Sequence, residues 1–324
     1  MNPVRMLHEL SRPRPALTET EAMQLMGALL DDGLPELEQG ALLALLEVRP
    51  CTLPLLMGFQ KAVRDRCFRL RRPDGTARPV LFATHCAAER SELNELPLLA
   101  LLLQRLGVTV LVHGSLEGAA VAGSAHVFRE LGIMPCGSLT QAQKRLDEQG
   151  LAFVPTAVLA PGLAALTARS ARLGGTRLAH LLARILDPYG GEALPVVATG
   201  SEAEGRLLPS FFRIMAMRAL LLEGTEGEPF ACPSRRPALE LVHEGGRELL
   251  FAAATGNARP RALSAAPDVA VASQWTRRAL RGEVPLPLPL VNQVACCLYG
   301  AGHALDINQA KAIAALETGS LVTA

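Results

Sequence analysis

Aromatic side chains are scarce in this sequence: Phe, Trp and Tyr make up 4% of 324 residues. A β-sandwich core built on aromatic packing is disfavoured by that scarcity. The apolar mass is Leu, Ala and Val, which suits helices packed on a sheet. Long apolar runs are also missing. None approaches the ~20 residues that cross a bilayer, and Leu96 to Leu103 reads as a buried helix. The first residues carry Arg5, His8, Arg12 and Arg14 with no apolar stretch behind them, so no signal peptide is read there. A soluble, cytoplasmic chain without membrane partners is expected. The seven cysteines (Cys51, Cys67, Cys86, Cys136, Cys232, Cys296, Cys297) are odd in number, and none form a C-x-x-C pair. That argues against a disulfide framework or a zinc site and for buried, reduced thiols.

Net charge is also nearly absent, at +1, but its distribution is uneven. From Thr18 to Val48 the chain carries Glu19, Glu21, Asp31, Asp32, Glu36, Glu38 and Glu47 and no base. From Gln60 to Pro79 it carries Lys61, Arg64, Arg66, Arg69, Arg71, Arg72 and Arg78 against Asp65 and Asp74. From Ala160 to Leu186 it has Arg169, Arg172, Arg177 and Arg184 and no acid. Such segregation gives a near-neutral protein the means to present one basic face.

Periodicity predicts a helical start. Thr18 and Glu21 form a capping box ahead of Ala22, Leu25, Met26 and Leu29; Pro35 and Pro54 open two further helices. The pattern then alternates. Strands are predicted at Pro79–Ala83, Val108–Val112, Leu151–Val154, Pro195–Ala198 and Leu220–Leu222. Helices are predicted between them at Glu95–Leu106, Ala119–Leu131, Ser138–Gly150, Pro161–Leu186 (broken at Gly174-Gly175) and Glu202–Ala219. Parallel βαβ units follow from this order. Leu239–Val242 with Glu248–Ala252 reads as an antiparallel hairpin, and the tail from Asp268 as helical. In an open α/β sheet, ligands sit beyond the carboxyl ends of the strands. The loops to watch are therefore Thr84–Arg90, His113–Gly118, Pro155–Ala160 and Glu223–Phe230.

Four stretches in order resemble the anthranilate phosphoribosyltransferase family (glycosyltransferase family 3). They are LTETEAMQLMGALLDDGLPELEQGALLALLEV, LVHGSLEGAAVAGSAHVFRELGI, RLGGTRLAHLLARILDP and LLLEGTEGE. The resemblance implies an α/β protein with the class II nucleoside phosphorylase/phosphoribosyltransferase fold. It implies a small all-helical dimerisation domain (1–72 and 161–191) and a larger α/β domain with a mixed sheet (73–160 and 192–324). It also implies a homodimer and a site for a magnesium-bridged phosphoribosyl pyrophosphate.

The motif residues depart from that family. Its G-T-G-G-D phosphate loop reads Ala83-Thr84-His85-Cys86-Ala87, so side chains stand where N–H groups should meet phosphate. The Lys, Asn and Arg of its K-H-G-N-R fall on Val112, Ser115 and Leu116, while His113 and Gly114 match. Its two serines fall on Ala119 and Ala120, while Gly123 and Ser124 match. Its magnesium-binding Asp-Glu pair falls on Pro229-Phe230, with Glu226 and Glu228 the nearby acids. Phosphoryl chemistry depends on such positioning and charge, so these departures weigh against ordinary transfer. The texts EGTEGE, TRLAHLLARI, GFQKAV, QAQKRLDE and VACCL are similar to a divergent branch, the YbiB-type proteins. The resemblance to that branch implies nucleic-acid binding without transferase activity and without a cofactor.

The candidate phosphate contacts are Arg90, Arg169, Arg172, Arg177, Arg206, Arg213, Arg71 and Arg72. Each has a plainer reading as a solvated or ion-paired helix residue, and Arg206 has Glu202 one turn away. His113 is a candidate general base, but no carboxylate to orient it is identifiable. The expectation is sequence-independent DNA or RNA binding along a basic groove. The alternative is a phosphoribosyltransferase with an altered substrate, which would use magnesium.

Overall fold

A computed structural model describes residues 3–12, 17–73, 77–84, 92–116, 123–225, 227–254 and 268–319. In chain order the elements are α1 (Pro3–Ser11), α2 (Glu19–Leu30), α3 (Glu36–Val48), α4 (Leu53–Asp65), β1 (Val80–Thr84), α5 (Leu96–Arg105) and β2 (Val110–Gly114). Then come α6 (Ser124–Glu130), α7 (Leu139–Gln149), β3 (Leu151–Pro155), α8 (Thr156–Leu159), α9 (Pro161–Arg172), α10 (Arg177–Arg184), β4 (Leu194–Thr199) and α11 (Glu202–Ile214). The chain continues through β5 (Ala219–Thr225), β6 (Glu228–Ala231), β7 (Leu239–His243), β8 (Gly246–Phe251), α12 (Val269–Leu280), α13 (Leu288–Ala301) and α14 (Ile307–Glu317).

The chain divides into two compact units, residues 1–69 with 156–190 and residues 70–155 with 191–324. The first is all helical. Thr18 accepts from the Glu21 N–H while Glu21 accepts from the Thr18 N–H, so two orphan donors at the start of α2 are satisfied together. Helices α2 and α4 cross closely because Gly58 has no side chain; a Cβ there would lie 2.3 Å from the Glu19 carbonyl oxygen. Leu25, Met26, Leu29, Leu56 and Phe59 fill the interior.

The second unit is a mixed sheet in the order β3-β2-β1-β4-β5-β7-β8, with β6 paired to β5. Strands β1 to β5 run parallel along this path, and β6, β7 and β8 are antiparallel. Strands β1 to β4 are buried almost throughout, which explains their apolar runs. Helices α5 and α13 pack Leu98, Leu99, Leu103, Leu290 and Val294 into that core.

The sequence missed α1, whose Met6 and Leu10 are buried while its charges face outward. It also missed the short β6. Helix α11 ends at Ile214 rather than near Ala219, because Met215 and a left-handed Ala216 (φ 51°) turn the chain into β5. Of the helix expected over Ala119–Leu131, residues 119–122 lie outside the described residues.

Candidate functional site

The carboxyl ends of β1, β2 and β3 lie side by side: Thr84 is in register with Gly114, and Gly114 with Pro155. Gly114 allows this approach. A Cβ at that position would fall 2.4 Å from Thr84 Cγ2 and 2.6 Å from the Thr84 carbonyl oxygen. From the first residue of β6, the Glu228 side chain reaches this edge. Thr84 Oγ1 donates to Glu228 Oε1 at 2.8 Å. Ser124 Oγ, in the first turn of α6, lies 3.5 Å from Glu228 Oε2 and receives a hydrogen bond from Asn94 Nδ2 at 3.0 Å. Gly123 precedes it as the N-cap of α6, with extended backbone. Thr84, Asn94, Ser124 and Glu228 are all buried, Glu228 completely.

This arrangement puts a carboxylate, held by hydroxyls, where the fold offers an anion its place. An entering phosphate would meet a buried acid whose oxygens are already engaged with Thr84 and Ser124. Strand β6 is fixed from behind. Buried Gln293 accepts from the Ala231 N–H and donates to the Pro229 carbonyl, both at 2.8 Å. Gln293 was missed in the sequence; the Asn292-Gln293 pair in the otherwise apolar run of α13 was the available signal. The positions matching a magnesium-binding pair, Pro229 and Phe230, offer no carboxylate, and Phe230 is fully buried in the core. Glu228 is committed to Thr84 and Ser124. Among the described residues, this donor set does not fit a magnesium-bridged diphosphate, which needs carboxylates free to coordinate. His85, Arg90 and Glu226 lie outside the described residues.

His113 sits within β2, in register with Ala83 and Val154, and is buried. Burial pulls its pKa down to about 4, so the ring is neutral near pH 7 and a weak base there. It is not presented to a substrate as a general base would be.

Within the helical unit, Arg169, Arg172 and Arg177 do not form one continuous ridge. Arg169 is turned back onto the end of α2, donating to the Leu29 carbonyl at 2.6 Å and to Asp32 at 3.2 Å. Arg177 closes the end of α3. Its guanidinium donates to the carbonyls of Leu46, Glu47 and Arg49, at 2.7 to 3.1 Å. In exchange, the Glu47 carboxylate accepts from the Arg177 N–H at 2.8 Å, at the positive start of α10. Both arginines are structural, and their partners more than 120 positions away explain why sequence could not show it. Arg71 is bound to α7 through Asp147 (2.9 Å) and through Gln143 on its backbone. Arg72 is half-buried and lies near Arg78, which burial and the Arg218 and Arg72 charges hold below the ordinary arginine range. Arg206 pairs with Glu202 on the surface, an interaction worth a few tenths of a kcal/mol, about 0.3–0.5. Arg206 and Arg213 are both exposed and share a helix face. Arg213, in the last turn of α11, lies toward the edge where β5 begins, away from Thr84 and Glu228. Arg172 is exposed at the end of α9.

A second polar cluster, also unforeseen, borders β5 and β6. Ser234 Oγ donates to Glu92 Oε1 at 3.1 Å and lies 3.0 Å from Cys232 Sγ, while Arg235 pairs with Glu223 at 3.2 Å. These bonds tie the segment after β6 to residue 92 and to β5. Among the described residues no helix is long and apolar enough to cross a membrane.

No protein-family model matches the chain. It is 33% identical over 297 residues to "uncharacterized protein YbiB" of Escherichia coli (strain K12), spanning 91% of this chain and 92% of that protein. It is 32% identical over 139 residues to anthranilate phosphoribosyltransferase of Bacillus caldotenax, 43% of this chain and 56% of that enzyme. Among solved structures, anthranilate phosphoribosyltransferase from Thermus thermophilus superposes with a TM-score of 0.77 at 22% identity, over 98% of this chain and 95% of that one. The enzyme from Saccharomyces cerevisiae, in complex with PRPP and Mg, gives 0.74 at 13% identity, over 98% and 93%. The helical unit and the mixed-sheet unit are thus those of the anthranilate phosphoribosyltransferase fold, and the chain belongs to the YbiB family built on that scaffold.

Proposed function

We propose that this protein is a non-catalytic nucleic-acid-binding protein of the cytoplasm, gripping DNA or RNA by the phosphate backbone without reading sequence. The observation that carries this is the fully buried Glu228 carboxylate, held by Thr84 and Ser124 at the carboxyl edge of the sheet. It disfavours a sugar diphosphate at the edge where an α/β sheet ordinarily takes one. Exposed arginines of the surface remain available to phosphate, because surface ion pairs are weak. Contacts of this type depend on counterion release, and their strength falls steeply with salt.

Self-association fits the same reading. Leu37, Ala41, Ala44 and Val48 are exposed on one face of α3, at the spacing of a helix-packing seam, with Leu37 83% and Val48 76% exposed. A second copy would cover that stripe and double the phosphate contacts on one assembly.

A mobility-shift titration of purified protein with a duplex and a single strand tests the proposal. Retention at low salt, weakening steeply as salt rises, supports it; no retention at any salt contradicts it. Sedimentation of the wild type against Leu37→Glu tests the dimer, which the charged variant should dissociate.

A further inference from the structure

We infer that the polyanion-binding surface lies on the amino edge of the sheet, where the C-termini of α5, α6 and α12 meet beneath a cluster of five arginines. This assignment rests on the nucleic-acid reading above and gives it a location. The three helices pack on one another. Their ends are joined directly: Arg105, in the last turn of α5, donates to the Leu280 carbonyl of α12 at 2.9 Å, and Arg277 of α12 donates to the Glu130 carbonyl of α6. Each helix is followed by a left-handed glycine, Gly107 (φ 79°), Gly132 (φ 88°) and Gly282 (φ 72°), which caps the helix and turns the chain away.

Arg105 and Arg277 therefore brace the helix ends. Arg129, Arg278 and Arg281 are exposed around them. The negative ends of three helices lower the cost of gathering five guanidinium groups. Acidic relief is slight. Glu283 is shared between Arg278 at 3.5 Å and Arg281 at 3.6 Å, distances that leave most of the five N–H donors on each fork unfilled. Glu130 is the other nearby acid, and it too is exposed.

The surface is separate from the former substrate edge. Helix α5 runs back to the start of β2, so the length of that strand, about 13 Å, lies between the arginines and Gly114. An open patch cannot desolvate a small anion well, so useful affinity needs several phosphates on one ligand, as a nucleic acid supplies. Trp275, the aromatic of α12, packs toward the core. Contact with backbone rather than stacking on bases follows.

The test is fluorescence anisotropy of a labelled 30-base-pair duplex over a salt series. It compares wild type, Arg278→Glu with Arg281→Glu, and Arg172→Glu with Arg213→Glu. The first pair should weaken binding at least tenfold and reduce the salt slope by about two, one for each phosphate no longer engaged. The second pair should bind like wild type within about twofold. Unchanged affinity in the first pair, with wild type binding, overturns this surface and leaves the nucleic-acid reading standing. Absence of wild-type binding overturns both. Should the Glu pair fold poorly by circular dichroism, Arg278→Gln with Arg281→Gln serves, with a slope reduction of about two still required.

Discussion

Thr84 and Glu228, 144 positions apart, meet in a 2.8 Å hydrogen bond between buried side chains, at the edge where an α/β sheet ordinarily holds its ligand. Replacing Thr84 by Val removes the donor and leaves a buried carboxylate oxygen short of a partner. The expected cost is about 1–3 kcal/mol, and Thr84→Ser should recover most of it. Urea unfolding of the three proteins measures this. Equal stability of wild type and Thr84→Val would show that the bond contributes nothing.

Arg177 serves the fold. Its guanidinium bonds three carbonyls at the end of α3, so Arg177→Ala should lose about 1.5–3 kcal/mol. Arg172→Ala, at an exposed site, should stay within about 0.5 kcal/mol of wild type. Midpoints of denaturant unfolding separate the two variants.

His113 makes stability depend on acid. In the folded protein its ring takes up a proton only near pH 4, because burial disfavours the charged form; in the unfolded chain it does so near pH 6.5. The unfolded state therefore binds more protons between those values. Stability is fully present above about pH 6.5 and is lost as pH falls toward about 4, by roughly 3 kcal/mol. His180 and His303 are shifted in the same direction by burial and add to the loss. His113→Leu should flatten the stability curve in this window by close to one proton. An unchanged slope would contradict the burial argument.

The thiols should be inert in the native state. Burial pushes Cys67 up to about 12 and raises Cys296 and Cys297 well above the ordinary range. The reacting species is the thiolate. A disulfide reagent at pH 8 should label these three only after unfolding, and peptide mapping of labelled protein reads the result.

Local rules made much of the fold legible. The Thr18–Glu21 capping box, the break at Gly174-Gly175 between α9 and α10, and the β7–β8 hairpin all stand close to where the sequence put them. Their causes lie within a few residues of one another. The site was less legible, because its determinants are distant pairs. Glu228 read as a loop acid near a vanished metal position, whereas β6 turns it inward onto Thr84 and Ser124. Arg169 and Arg177 read as a basic ridge, whereas Leu29, Asp32 and the end of α3 claim them. The arginines at the ends of α5, α6 and α12 went unnoticed because they are scattered between positions 105 and 281 and only the sheet gathers them.

Calorimetric titration of the intact protein with phosphoribosyl pyrophosphate and magnesium tests the central claim, that Glu228 and its partners have closed the sheet edge to a sugar diphosphate. No saturable heat should appear up to millimolar ligand. A stoichiometric, magnesium-dependent isotherm would contradict it.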